Sequence, residues 1–257
     1  MKTMALVAAA AALMTAAPAA AAGGYLGVQY ANSDVEFIGD LEADTWRGEG
    51  AFGRTGGGWG AQLGGSFGNS EFDTGADADV WTAEGHLYWN GGAWRLGGVV
   101  AHSELDFGAG GTADETVYGI EAMFDTSANS NIFGSLTAGE GEFIANFDSW
   151  NFDAGLNYYL TPNARVGGYL GAGSVDFGGA DADTFAAGVN GEFQPFAAPV
   201  SITLGWNYSE AEDISVEGNS VQIGARWNFG GGTLQDRNNA TPFTVRGGVL
   251  DRLFGLK

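Results

Sequence analysis

The sequence predicts an all-β chain: twelve antiparallel strands in up-and-down order, closed into a transmembrane β-barrel. Three observations lead there. Successive stretches of about ten residues alternate apolar and polar side chains at period two. Turn-forming residues separate these stretches at nearly constant spacing, and all eight Trp fall on the apolar parity.

Residues 1–22 read as an export signal. Lys2 supplies the positive start, Met4 to Thr15 an apolar core, and Ala20-Ala21-Ala22 a small-residue cleavage site, so a mature chain starting at Gly23 is expected. No later apolar run is long enough for a membrane-spanning helix. The chain has no cysteine, which excludes a disulfide scaffold and a lipid-modified amino-terminal cysteine.

Six hairpins follow, over roughly residues 25–54, 58–90, 93–126, 131–160, 164–193 and 200–229. The alternation is clear in four strands. Trp81, Ala83, Gly85, Leu87 and Trp89 share a parity against Thr82, Glu84, His86 and Tyr88. Trp150, Phe152, Ala154, Leu156, Tyr158 and Leu160 oppose Asn151, Asp153, Gly155 and Asn157. Ile202, Leu204, Trp206 and Tyr208 oppose Thr203, Gly205 and Asn207. Val221, Ile223, Ala225, Trp227 and Phe229 oppose Gln222, Gly224, Arg226 and Asn228. Between hairpins stand Thr55-Gly56-Gly57, Asn90-Gly91-Gly92, residues 127–131, Thr161-Pro162-Asn163 and residues 195–199. No proline interrupts a strand, as a ladder of backbone donors requires.

A soluble sandwich also has two-faced strands, so the aromatic residues decide. Trp46, Trp59, Trp81, Trp89, Trp94, Trp150, Trp206 and Trp227 lie mostly near strand ends, where amphipathic rings suit the two membrane interfaces. A sandwich core would hold its large rings mid-strand. In lipid an open sheet edge leaves unpaired backbone groups, so the first strand must pair with the last.

With 31 acidic against 10 basic residues the net charge is −21, which excludes nucleic acid as a partner. Most carboxylates cluster around the loops within hairpins, whereas Arg54, Arg95 and Arg165 lie by the turns between hairpins. No cofactor is expected, except Ca²⁺ or Mg²⁺ at the acidic loops. Asp77, Asp79, Asp181 and Asp183 are weak candidates, because neither pair has the spacing of a calcium loop.

The parity opposite the tryptophans places Arg47, Glu49, Glu84, His86, Arg95, Glu121, Asp153, Arg165, Glu192 and Arg226 in the lumen. Twelve strands fall between barrels whose interior is filled and those with open channels. Abundant lumen glycine favours a small water-filled path. His86 and His102 are the chain's two histidines. Glu84 and His86 share a face as a hydrogen-bonded pair, while His102, Ser103 and Glu104 are consecutive in a strand and do not face one another. No enzyme is expected. Residues 230–257 leave the pattern and are expected to form a loosely ordered periplasmic tail outside the barrel, the alternatives being a place on the inner leaflet or entry into the barrel from below.

The Ala-rich leader, the alternation, the aromatic girdles, the absent cysteine and the strand Gln222-Ile223-Gly224-Ala225-Arg226-Trp227-Asn228-Phe229 resemble the bacterial outer-membrane barrel superfamily, including porin-like proteins of Gram-negative bacteria. The resemblance covers residues 24–229. It implies short periplasmic turns, acidic extracellular loops, periplasmic termini, and contact with outer-membrane lipid and lipopolysaccharide. It also implies folding by the barrel-assembly machinery, with Phe229 as the aromatic recognition signal, although 28 residues follow Phe229 here. Two functions are then expected. One is a porin-type channel for small hydrophilic solutes, preferring cations, and the other a plugged structural or surface-interaction barrel whose acidic loops bind divalent cations, lipopolysaccharide or a partner.

Overall fold

In the computed structural model the described residues are 22–36, 40–143, 145–179, 181–195, 198–212, 216–230, 232–244 and 248–253. The expected signal lies outside them apart from Ala22. The strands are β1 (Ala22–Glu36), β2 (Asp40–Gly56), β3 (Trp59–Phe72), β4 (Asp77–Asn90), β5 (Trp94–Asp106), β6 (Thr112–Ser127), β7 (Ser130–Glu142), β8 (Asn146–Thr161), β9 (Ala164–Asp176), β10 (Asp181–Phe193), β11 (Val200–Ala211) and β12 (Val216–Phe229). Two short helices follow, α1 (Leu234–Ala240) and α2 (Val249–Leu253). Each strand pairs antiparallel with its neighbours in sequence, and β1 pairs with β12, so the sheet closes.

The closing seam is built around Gly24. It stands opposite Phe229 on one side and Phe52 on the other. Those two rings stack across it at 6.4 Å, filling the space that a side chain would take. The turn between β2 and β3 consists of Gly57 and Gly58, both at positive φ (63° and 84°), as a two-residue hairpin that follows the sheet's twist demands.

The strands are longer than the sequence suggests, from 12 residues in β11 to 17 in β2. The extra length sits at the end carrying the within-hairpin loops, here called the loop end; the opposite end is the turn end. Most of the acidic residues therefore belong to strand extensions rather than to the loops. Connections at both ends are short, so loop length does not orient the barrel. Asp213 and residues 254–257 lie outside the described residues.

Along each strand side chains alternate between outside and lumen, but the chemistry of the two faces inverts partway. Through most of β8 the outside carries Trp150, Phe152, Leu156, Tyr158 and Leu160, all about half exposed or more. This stretch measures about 33 Å along the strand at ~3.3 Å per residue. At the usual tilt of roughly 40° it spans about 25 Å, the height of a barrel's lipid-facing band. Beyond Trp150 the outward position is Asp148, while Phe147 points inward and is buried. The same inversion occurs in β4, where Asp77 and Asp79 point out and Ala78 and Val80 in, and in β10, where Asp181 and Asp183 flank buried Ala182. Above the tryptophans the barrel is thus built like a water-soluble protein, acidic outside and apolar inside.

Seven of the eight tryptophans are exposed on the outer wall. Trp46, Trp81, Trp150 and Trp206 lie towards the loop end, and Trp59, Trp89, Trp94 and Trp227 towards the turn end, giving two girdles about one apolar belt. Trp81, the eighth, is partly covered by the outward His102 ring at 5.1 Å. Within the belt Ile120 is 65% exposed between Tyr118 and Phe124. Ile120→Arg is expected to cost about 2–4 kcal/mol in a bilayer. Urea unfolding in lipid vesicles checks this, and an unchanged midpoint would exclude lipid contact at that position.

Candidate functional site in the barrel lumen

Period-two alternation brings the ten charged residues of the polar parity to the inner wall, where they form a belt of separate charged clusters. Glu192 is fully buried. It accepts from Ser201 Oγ at 2.5 Å and faces Arg226 Nη1 at 3.4 Å and Arg165 Nη2 at 3.8 Å. Arg226 in turn makes a fork with Glu49, at 2.6 Å from Nε and 3.1 Å from Nη2, with its guanidinium 4.2 Å above the Tyr25 ring. Such two-pronged pairs are the strong ones. Further round, His86 Nδ1 lies 3.0 Å from both Glu121 oxygens and its Nε2 3.7 Å from Glu84. Arg95 pairs with Asp125 at 2.9 Å. Arg47 is buried near Gln29, which bonds to Gln222 across the seam. Glu84 and His86 do share a face, but at 3.7 Å they are an ionic contact and not the expected hydrogen-bonded pair; Glu121, further along in β6, is the hydrogen-bond partner.

The lumen is not left to its wall. Residues 233–244, expected as part of a loose tail outside the barrel, enter the interior at the turn end, and residues 248–253 lie inside it at the loop end. Helix α1 begins at a capping box in which the Thr233 side chain accepts from the Asp236 amide and Asp236 accepts from the Thr233 amide. Its Leu234 amide bonds to Asn163, the Gln235 side chain donates to the Ala128 carbonyl, and Asn238 donates to Tyr159 Oη. Arg237 runs into the charged belt, bonding to Asn228 and reaching Glu192 at 2.8 Å. Ala240 rests on Gly23 and Gly53, which oppose each other on β1 and β2. A Cβ built on Gly23 would stand 3.1 Å from the Ala240 Cβ, and one on Gly53 would collide with the Ala240 carbonyl.

Beyond α1 the Gln62 side chain clasps the backbone of Phe243, donating to its carbonyl at 2.6 Å and accepting from its amide at 3.2 Å. The Phe243 ring packs on His86 and Tyr88. At the loop end Val249 and Leu250 of α2 join a buried apolar cluster with Val35, Val80, Leu105, Ala113, Phe147, Val175, Ala182, Ala211 and Val216. The Leu250 amide donates to Glu115 at 3.1 Å, and Arg252 Nη2 donates to Asp153 at 2.8 Å. A cavity of about 170 Å³ of mixed lining remains beside the tail, bordered among others by Tyr25, Arg47, Glu49, Glu84, Arg165, Arg226 and Arg252.

Sequence reasoning missed the tail's residues, above all Arg237, Phe243, Leu250 and Arg252. One local signal existed: Thr233 and Asp236 have the spacing of a helix start. Asp77 and Asp79 are on β4 and Asp181 and Asp183 on β10, six strands apart, so the two pairs do not form one site. Among the described residues no group of three or more His, Asp or Glu side chains is arranged to hold a metal ion. His102 is on the outer wall, 2.9 Å from Thr116 Oγ1.

The chain matches no family model and no curated protein. Solved structures do resemble it. An outer-membrane channel from Pseudomonas putida F1, described by the family label COG4313, aligns with a TM-score of 0.60 at 12% identity, over 83% of this chain and 97% of that one. The fold is that of a bacterial outer-membrane β-barrel. The translocator domain of the autotransporter NalP from Neisseria meningitidis aligns at 0.54 and 14% identity, over 89% and 95% of the two chains. The monoaromatic hydrocarbon channel CymD aligns at 0.52 and 8%, over 81% and 88%. At these identities the likeness concerns the barrel fold alone.

Proposed function

We propose that this protein is an outer-membrane channel for passive diffusion of small hydrophilic solutes, preferring cations, whose lumen is closed by its own carboxy-terminal segment. The observation that carries this reading is the manner of closure. The segment is held by side-chain hydrogen bonds, two ion pairs and a small apolar contact, with no strand pairing to the wall among the described residues. Water replaces such polar contacts readily when a segment withdraws.

Charge supports the cation preference. Among the described residues the wall offers four arginines, Arg47, Arg95, Arg165 and Arg226. Against them stand seven carboxylates, Glu49, Glu84, Glu115, Glu121, Asp125, Asp153 and Glu192. The tail's Arg237 and Arg252 each pair with one of these carboxylates. Withdrawal leaves a negative lumen behind an acidic rim, and such a field concentrates cations.

The chain has no cysteine of its own, so a disulfide makes a clean test. The Cβ approach of Gly23 to Ala240 is near the 3.5–4.5 Å that a disulfide spans. With both replaced by cysteine, the oxidised protein is expected to be silent in planar bilayers and to regain openings on reduction. Equal currents in the two states would overturn closure by the tail.

A second reading, a permanently plugged barrel acting through its surface, is favoured by the acidic rim. There Asp148 faces Asp176, Asp176 faces Asp181, and Glu104 faces Asp114 in direct cross-strand register. Like charges so placed repel, and Ca²⁺ or Mg²⁺ shared with lipopolysaccharide phosphates relieves the repulsion. Under this reading no variant of the tail conducts.

A further inference from the structure

Arg252 occupies a notch in the wall that is shaped for its head group. Asp153 on β8 lies between Ser135 on β7 and Gly171 on β9, two of the smallest residues available. A Cβ on Gly171 would strike the Asp153 carboxylate and stand 3.1 and 3.3 Å from the two terminal nitrogens of Arg252. The missing side chain is what admits the guanidinium. Both charged side chains are 4% exposed.

The fit to Arg252 itself is incomplete. Its Nη2 donates to Asp153, but among the described residues its Nε and Nη1 have no hydrogen-bond partner. Buried donors left unmet weaken a contact. Arg252 is tethered to α2, so its guanidinium has less freedom to turn towards other partners than a separate molecule would have. A free cation of the same chemistry has that freedom. Arg252 also borders the 170 Å³ cavity, so its withdrawal joins the notch to that space.

We infer that the Asp153–Gly171 notch is a binding site for small solutes bearing a guanidinium group, and that Arg252 is its resident substitute. Such a solute competes with the tail for Asp153 and loosens α2. For transport this rests on the channel reading above, whereas the binding itself does not.

The test uses the full-length protein in lipid nanodiscs with guanidinium chloride and agmatine, far below denaturing concentration, against sodium chloride of equal ionic strength. Arg252→Ala vacates the notch and is expected to bind either cation about tenfold or more tightly than wild type, the scale of one charge-assisted hydrogen bond. The double variant Asp153→Asn/Arg252→Ala is expected to lose that gain. Equal binding by the single and double variants overturns the site. Should Arg252→Ala fail to fold, hydrogen exchange at the Leu250 amide of the wild type decides instead. Guanidinium is expected to accelerate it several-fold over sodium, and no acceleration overturns the site equally. Binding with the predicted Asp153 dependence but no current in any variant would refute the channel and leave the site standing.

Discussion

Glu192→Ala is expected to cost the barrel about 3–5 kcal/mol and to expel the tail. Three arginines, Arg165, Arg226 and Arg237, converge on this one buried carboxylate, the nearest at 2.8 Å. Removing one partner of a buried pair leaves uncompensated charge, which is far costlier than exchanging the whole pair for apolar groups. Glu49 still neutralises Arg226. Among the described residues Arg237 has no second carboxylate in the ion-pair network, and the relief open to it is for α1 to leave the lumen. Urea unfolding in vesicles gives the stability and planar bilayers the current. Glu192→Gln keeps an acceptor for Ser201 and Arg237 and should fall between. A Glu192→Ala protein as stable and as quiet as wild type would refute this account of the belt.

The second large effect is expected at Gly53, on the other side of the same helix. Its inward position has no side chain, and the Ala240 carbonyl fills the space. Valine suits a strand, so Gly53→Val leaves β2 intact but removes the seat of α1. Overpacking of this kind costs about 1–3 kcal/mol. Here the closed state bears the whole cost, which raises the ratio of open to closed barrel roughly 5- to 150-fold. Mean current through Gly53→Val channels should rise by a factor in that range, with barrel stability lowered by no more than the same ~1–3 kcal/mol. A Gly53→Val protein that stays silent would mean that α1 has room to shift and is not seated by the glycines.

These two residues mark what the sequence could and could not convey. Glu192 was legible. A strand's side chains alternate with a period of two, so one tryptophan on the outer parity fixes the facing of every residue in that strand, and ten charged wall residues were found this way, while the inward Glu115 and Asp125 were not. What Glu192 touches was not legible. Ser201 is on the next strand, but Arg237 is 45 residues away and belongs to a stretch with no repeat. A lone arginine, a pair of asparagines and a phenylalanine after proline carry no periodic signal of burial. Gln62, which grips Phe243 from 181 residues away, looks like any polar wall residue.

The strand extensions were misread for a different reason. Asp77-Ala78-Asp79-Val80 keeps the alternation, but a span matched to the hydrocarbon thickness ends at Trp81. Acidic residues beyond that length look like loops. The strand continues because Val80, Val175, Val216 and their neighbours have an apolar partner inside, partly supplied by Val249 and Leu250 of the tail.

That inversion of polarity gives the barrel a waterline. Sinking by two residues, about 6–7 Å of strand, would drag a tier of carboxylates from Asp44, Asp79, Glu104, Asp148, Asp183 and Glu210 into hydrocarbon. Rising by as much would lift the Trp59, Trp89, Trp94 and Trp227 girdle off its interface. With the vertical position pinned from above and below, the surrounding lipid must adapt, thinning or thickening to meet the belt. The barrel thereby imposes its own height on the membrane around it.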